Sequence, residues 1–300
     1  MLPAFLTTIL FSISAVCAQR TTKVLGGVEA NFWRIVVATV FLAAWAHTLG
    51  QGLAGKALPM FLLSGFVGFG IGDLALYQTL PRLGSRLSIL LIHCIAAPFA
   101  SVTEWLWLGV RMNGTEVVGV MLILAGVALA LAPGKHLDIP CPVFWTGVAC
   151  GVVAALGQGL GAVLSSYASR VDESAGMKID GLTAAYQRIL AGLVVGAVVY
   201  AIVKLRRKTS AVEPATTKRS RLWAWVLGNA LAGPAIGVGC YQWALMEAKT
   251  GVVLAIVALT PLVIIPFSRF VEGERPQKRS LAGGIVAVLG VILLRLASAK

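Results

Sequence analysis

The chain has 300 residues, a formal net charge of +13 and an unusually apolar composition. Hydrophobic residues make up 58% and charged residues 12% of it, whereas soluble globular domains carry roughly 25% charged residues. So little charge cannot cover a water-facing surface of this size, which excludes an ordinary soluble protein, and the high hydrophobicity excludes disorder. The composition therefore indicates a polytopic membrane protein.

Ten apolar segments, each close to the roughly 20 residues that a helix needs to cross a bilayer, follow one another along the chain. Continuous apolar runs such as Val117–Ala132 favour helices, because the strands of a membrane barrel alternate apolar and polar residues. We therefore predict an all-α integral membrane protein with ten transmembrane helices. In chain order they are Leu2–Ala18, Asn31–Gly50, Leu58–Leu80, Arg86–Leu108, Gly114–Ala132, Pro142–Ser166, Leu182–Lys204, Leu222–Met246, Gly251–Phe270 and Leu281–Ala297.

The first apolar segment has two interpretations. Met1–Ala18 is compatible with a signal peptide, with Val16 and Ala18 at the cleavage positions. Such peptides begin with a positively charged region, however, and here the positive residues Arg20 and Lys23 come after the apolar run. A retained transmembrane helix is the favoured interpretation.

The excess of positive charge could indicate a nucleic-acid partner. In a membrane protein it is better explained by orientation and by contact with anionic lipids, so we expect membrane lipids and no nucleic acid as partners. The lysines and arginines fall mostly on the side where the first helix ends, and many of them lie in the loop Lys204–Arg221. The positive-inside rule then predicts a cytoplasmic loop and both termini outside.

The two halves of the sequence resemble each other at a constant spacing. Each half holds five predicted helices, an odd number, so the second half must enter the membrane from the opposite side. This predicts two inverted five-helix repeats, residues 1–135 and 136–300, the arrangement of many secondary transporters, with the substrate site near the bilayer midplane. The pairs at an offset of 164 are Tyr77–Gln78 with Tyr241–Gln242, Gly109 with Gly273, Gly119 with Gly283 and Gly126 with Gly290, and Arg34 parallels Arg188 at a different spacing.

These repeated residues also carry a family resemblance. The stretches Ala75–Val127 and Cys240–Leu293 resemble the paired EamA domains of the drug/metabolite transporter superfamily. The shared features are Ala75–Tyr77, the mid-helix prolines Pro98 and Pro261, and Gly273-Glu274-Arg275-Pro276. The first half departs from the pattern, since Gly109-Val110-Arg111 stands where Gly-Glu is expected, and Glu104 is the nearest acid. The resemblance implies a multi-pass permease or exporter of small metabolites.

Charged groups inside the predicted helices give the strongest functional signal, because charge in hydrocarbon costs at least about 2.5–3.5 kcal/mol per residue. From the helical rise per residue, Asp73 in helix three and His93 in helix four lie roughly 10 Å deep in the same leaflet. Arg34 lies near the start of helix two, on the same side of the membrane. One interpretation is an Arg34–Asp73 pair that merely orients helices. Another is that Asp73 and His93 line a cavity and that one of them changes protonation during transport, since histidine titrates near neutral pH and burial can shift a carboxylate towards that range. A third is that the depths are wrong and these residues face interfacial water. Tyr77 shares the face of Asp73, and the neighbouring Gln78 joins the candidate site.

The second half contributes uncharged groups, because the residue at the Asp73 offset is Gly237. One charged wall and one neutral wall suit an amphipathic metabolite better than a polyanion, although each polar group alone is also explained by a helix–helix hydrogen bond. Pro98 and Pro261 can kink their helices around the cavity or free carbonyls for a substrate. The candidate binding residues of this half are Gln158, Asn229, Tyr241, Gln242 and Thr260.

The sequence thus predicts a secondary transporter of a small metabolite that works by alternating access, with protons as a candidate coupling ion and a homodimer as a candidate assembly. We place it in a cell membrane of the bacterial inner-membrane type. A non-transporting module, such as an accessory subunit of a lipid-processing complex, is the alternative. An enzyme would need a convergent nucleophile–base or metal constellation, which the sequence lacks. We expect no cofactor and no metal, since His47, His93 and His136 are far apart.

Overall fold

The computed structural model describes residues 1–131, 139–206, 219–263 and 278–298. These residues form ten helices and their connecting turns, without a strand among them, so the prediction of an all-α protein is confirmed for the described chain. The helices are α1 Leu2–Leu25, α2 Gly27–Thr48, α3 Leu58–Gly84, α4 Leu87–Leu108, α5 Gly114–Leu131, α6 Cys141–Ser174, α7 Gly181–Arg206, α8 Leu222–Glu247, α9 Thr250–Val263 and α10 Lys278–Ser298.

Seven of the described helices, α1 to α4 and α6 to α8, are long and apolar enough to cross a membrane. The apolar parts of α5, α9 and α10 are shorter within the described residues. Every predicted segment coincides with a helix, although α2 begins earlier than predicted and α6 continues to Ser174. The predicted end of the ninth segment at Phe270, the motif from Gly273 to Pro276, His136 and the repeat boundary at residue 135 lie outside the described residues.

Two single glycines form the turns of the first two helical hairpins. Gly26 has φ 77° and separates α1 from α2, and Gly84 has φ 74° and separates α3 from α4. A residue without Cβ adopts positive φ at no steric cost, so each glycine ends one helix and lets the next begin within a few residues. Both turns lie on the same side of the helix bundle.

Helices α5 and α10 pack through reciprocal glycine contacts. A Cβ on Gly119 would lie 3.1 Å from the carbonyl oxygen of Gly290, and a Cβ on Gly290 would lie 2.7 Å from the carbonyl oxygen of Gly119. Gly126 and Gly283 approach each other in the same way, each facing the other's carbonyl oxygen. Small residues permit this backbone approach, which drives helix association in lipid. The four glycines are the two pairs that share the offset of 164.

Two helices of the bundle contain a π-helical segment. One covers Phe66–Gly72 in α3 and the other covers Leu231–Ala235 in α8. When 164 is added to the residue numbers of the first segment, it overlaps the second. The two segments therefore lie at corresponding positions of the sequence repeat. π-Helical turns break the regular i→i−4 pattern and frequently lie at functional sites.

Helix α1 satisfies backbone carbonyls where α9 is broken. Helix α9 is interrupted at Ala258–Leu259. Pro261 follows this break, and it has no N–H to donate to the carbonyl of Val257. The Thr260 hydroxyl donates to that carbonyl instead at 2.6 Å. From α1, the Ser12 hydroxyl donates to the Thr260 carbonyl at 2.9 Å. The break is therefore stabilised by side chains, and α1 is packed into the bundle.

Candidate functional site

A cavity of about 630 Å³ lies between helices of the described chain. Its wall is mostly apolar and reaches the end of α1 at Lys23, the start of α2 at Gly27, the end of α3 at Pro81 and the start of α4 at Ile89. These helix ends all belong to the side that carries the two glycine turns. The cavity therefore extends from the middle of the bundle towards that side.

Arg34 and Asp73 form an ion pair in this wall. The Arg34 Nε also donates to the Asn31 Oδ1 at 2.9 Å, and the guanidinium lies over the Tyr77 ring, 5.0 Å from its centroid. The pair thus joins α2 to α3, as the orienting interpretation predicts. It also lines the cavity, so the pair lies where a structural contact and a cavity-lining acid would both place it.

His93 lies in the same wall, buried on α4. Its Nδ1 has no hydrogen-bond partner within the described part of the protein. Gln158 of α6 contributes a further polar side chain to the wall. No hydrogen bond joins His93 to Asp73 among the described residues.

Two tyrosines at equivalent positions of the repeat face the cavity with unused hydroxyls. Tyr77 and Tyr241 both line it, and neither Oη has a hydrogen-bond partner of normal geometry in the described chain. The Asn229 side chain lies beside the Tyr77 hydroxyl without forming such a bond. Tyr241 packs against Phe11 of α1, with ring centroids 6.2 Å apart. Thr260, at the break in α9, completes this part of the wall.

Other candidate residues lie away from the cavity wall. Gln78 accepts a hydrogen bond from Arg82 at 2.9 Å, and Asn229 accepts one from the Ser14 hydroxyl at 2.7 Å. Gln242 is fully buried, and Pro98 faces outwards. Pro261 is buried beside the break in α9.

The structure adds one residue that the candidate site did not include. Arg188 of α7 is 4% exposed, lines the cavity and lies over the Phe69 ring at 5.4 Å. The sequence shows it only as the counterpart of Arg34, and whether an arginine has a partner is decided by tertiary contacts. The second-half wall, predicted to be neutral, therefore carries a positive charge.

The opposite end of the bundle is closed by polar contacts between helices. Glu104 of α4, 2% exposed, accepts hydrogen bonds from the Thr250 N–H and hydroxyl, both at 2.9 Å, and from Arg170 at 3.3 Å. Glu116 of α5 pairs with Lys249 at 2.6 Å. These contacts join α4 and α5 to α6 and to the start of α9.

Architecture and cavity together define a class, the multi-pass helical membrane proteins with a cavity between their helices that carries a few charged and polar side chains. Residues 1–132 and 145–296 match the model of the EamA-like transporter family. The chain belongs to the EamA-like transporter family, a family of membrane transporters, as its resemblance to paired EamA domains implied.

Comparison with solved structures supports the fold. One crystal structure, described only as that of a protein, aligns with this chain at a TM-score of 0.78 and 15% sequence identity. The similarity covers 98% of this chain and 97% of the other. At this identity the likeness concerns the fold alone. No curated protein matches the sequence.

Proposed function

We propose that the protein is a secondary transporter that moves a small amphipathic metabolite by alternating access between two inverted five-helix halves. The reciprocal contacts of Gly119 with Gly290 and of Gly126 with Gly283 support a pseudo-twofold relation. A twofold operation that exchanges Gly119 with Gly283 and Gly126 with Gly290 turns the first contact into the second. The π-helical segments at the same offset support the same relation.

One observation carries the proposal. The cavity extends to the side with the two glycine turns, and contacts centred on Glu104 close the opposite side. This arrangement supports the proposal, because alternating access requires a midplane site between repeats that opens to one side at a time. The second state requires the Glu104 contacts to break while the open side closes.

Protons are the proposed coupling ion. Asp73 and His93 both line the cavity, and an intramembrane carboxylate and histidine are the groups that proton-driven transporters use as relays. Arg34, Arg188 and the tyrosines Tyr77 and Tyr241 are the other charged or titratable groups of the deep wall. Loss of the proton from Asp73 strengthens its pair with Arg34, which links protonation to the contact between α2 and α3.

Orientation and assembly belong to the same proposal. Ten crossings with the basic loop Lys204–Arg221 in the cytoplasm place both termini outside, in a bacterial inner membrane. A reporter that is active only outside the cytoplasm, fused after Lys300, tests this directly. The homodimer is a separate prediction that size-exclusion chromatography with light scattering tests.

The experiment for the function is flux into vesicles that contain only this protein. Metabolites whose cellular levels change when the protein is overproduced are added to sealed proteoliposomes, with and without a pH gradient. Protein-dependent flux of one of them supports the proposal. No flux, together with co-purification of an obligatory partner, would instead support the non-transporting module.

A further inference from the structure

The two arginines of the cavity differ in their partners. Arg34 is neutralised by Asp73 of α3, whereas no carboxylate lies within ion-pair distance of Arg188 in the described residues. The Nε of Arg188 has no hydrogen-bond partner there either. The sequence repeat explains the difference, because the residue that corresponds to Asp73 in the second half, 164 positions later, is Gly237. The acid is missing from the second half.

An unpaired arginine in this place is unfavourable for the protein alone. Its side chain is almost wholly buried, and removing a charge from water costs several kcal/mol unless a counter-charge compensates it. Phe69 offers its ring face, which compensates only in part, because a cation–π contact is weaker than an ion pair in a desolvated site. Asp73 acts on Arg188 only at longer range. The site therefore favours an added anion.

We infer that the carboxylate of an amphipathic organic monoanion binds Arg188 and takes the place that Asp73 occupies beside Arg34. The inference rests on the proposed transport function and names its substrate class. With Arg34 and Asp73 cancelling, one net positive charge remains in the deep wall, and a monoanion neutralises it. A doubly charged phosphate monoester leaves a negative charge in a mostly apolar chamber.

The surroundings of Arg188 fit such a ligand. The Tyr241 hydroxyl, which has no partner of its own in the described chain, lies within electrostatic range of Arg188 and can donate to the same carboxylate. Leu76, Ile92 and Val238 supply apolar wall for the ligand body. Lys23 at the end of the cavity adds positive charge on the entry route, which raises the local concentration of anions.

A substitution at Gly68 can supply the negative charge that Arg188 lacks, which tests the inference within the protein itself. A Cβ on Gly68 would lie 3.1 Å from the Arg188 Nη2, and only one other atom would be within 4 Å. Because the atom it meets is the end of a flexible side chain, a small residue fits with a slight shift. Gly68→Asp therefore supplies a carboxylate from the protein itself, and Gly68→Asn supplies the same shape without the charge.

The experiment is calorimetric titration of the purified protein in nanodiscs of uncharged lipid. The probes share a body and differ in head group: phenylpropionate, phenylpropanol, phenylpropylamine and the phosphate monoester of phenylpropanol, with hexanoate, hexanol and hexylamine as a second set. Carboxylates are expected to bind the native protein more tightly than all other probes with the same body. Arg188→Gln and Gly68→Asp should weaken this binding at least about tenfold, as expected for the loss of a charge-assisted hydrogen bond.

Gly68→Asn should retain the binding, and Arg188→Lys should retain part of it, while size-exclusion chromatography shows that each variant is folded. Equal binding of carboxylate and alcohol, no carboxylate binding, tighter binding of the phosphate, or an unchanged affinity in Arg188→Gln would each overturn the inference. Flux of a cationic metabolite without carboxylate binding would overturn it and leave the transport function standing. Carboxylate binding through Arg188 without flux of any metabolite would support the inference and count against transport.

Discussion

Arg34 and Arg188 each lie seven residues after the first residue of their helix, Gly27 in α2 and Gly181 in α7. The two helices pack against each other, so both arginines reach the same chamber. Only Arg34 has a carboxylate partner among the described residues. The cavity is therefore built on nearly symmetric helices but is electrostatically asymmetric, and this asymmetry determines what it can bind.

The first prediction concerns proton coupling. Asp73→Asn removes the carboxylate that can gain and lose a proton beside Arg34, so substrate uptake into proteoliposomes should no longer depend on the pH gradient. Asp73→Glu keeps a carboxylate and should retain the dependence. Glu247→Gln serves as the neutral control, since Glu247 is an exposed residue that accepts a hydrogen bond from the Trp243 Nε1. Uptake by Asp73→Asn that responds to the gradient as the native protein does would refute this role.

The second prediction concerns the packing of α5 against α10. Gly283→Ala places a methyl group 2.6 Å from the Ala130 N and 2.7 Å from its Cβ, which forces the helices apart. Overpacking of this kind lowers the free energy of unfolding by about 1–3 kcal/mol. Gly284→Ala on the same helix meets nothing within 4 Å and should be neutral. Thermal unfolding of the two variants in one detergent makes the comparison, and equal midpoints would contradict the contact.

The third prediction concerns the closed end. Glu104→Gln replaces a carboxylate that accepts three hydrogen bonds with an uncharged amide, whose single oxygen still accepts but whose NH₂ group cannot. Charge-assisted hydrogen bonds contribute about 1.5–3 kcal/mol, so the closed end should open more often. A cysteine in place of Ser166, 1% exposed in the native chain, should then react roughly tenfold or more faster with a water-soluble thiol reagent.

Glu173→Gln, at an exposed residue near the same end of α6, provides the matched control for that labelling experiment. It should leave the rate at position 166 unchanged. If Glu104→Gln and Glu173→Gln react at the same rate, the Glu104 contacts do not hold the end closed.

The sequence predicts helices better than it predicts which side chains face the cavity. Continuous apolar runs define each helix, and the repeated glycines mark the α5–α10 contact because only small residues allow that approach. Depth along a helix follows from its rise per residue, and Arg34 and Asp73, both placed on one side of the membrane from the sequence, form an ion pair. Direction around a helix is harder to predict. Consecutive residues of a helix point about 100° apart, and of the pair Tyr241 and Gln242 only the tyrosine lines the cavity.

Arg188 shows a different limit. Its position in a helix and its likeness to Arg34 can be read from the sequence. The lack of a partner cannot, because it depends on side chains from α3 and α6 that approach α7 only in the folded bundle. Gly68 and Gly161, whose added Cβ atoms would lie 3.1 and 3.4 Å from the Arg188 Nη2, make the space in which the guanidinium remains unpaired.

Access to Leu76 from the two sides of the membrane tests the alternating-access account most directly. Leu76 lines the cavity, and it is replaced by cysteine after the five native cysteines have been removed. A small impermeant methanethiosulfonate is then applied to sealed right-side-out and inverted vesicles, with Val288→Cys on the exposed face of α10 as the control. The account predicts modification at Leu76→Cys from both sides and little modification at Val288→Cys; modification from one side only, under all substrate and pH conditions, would contradict it.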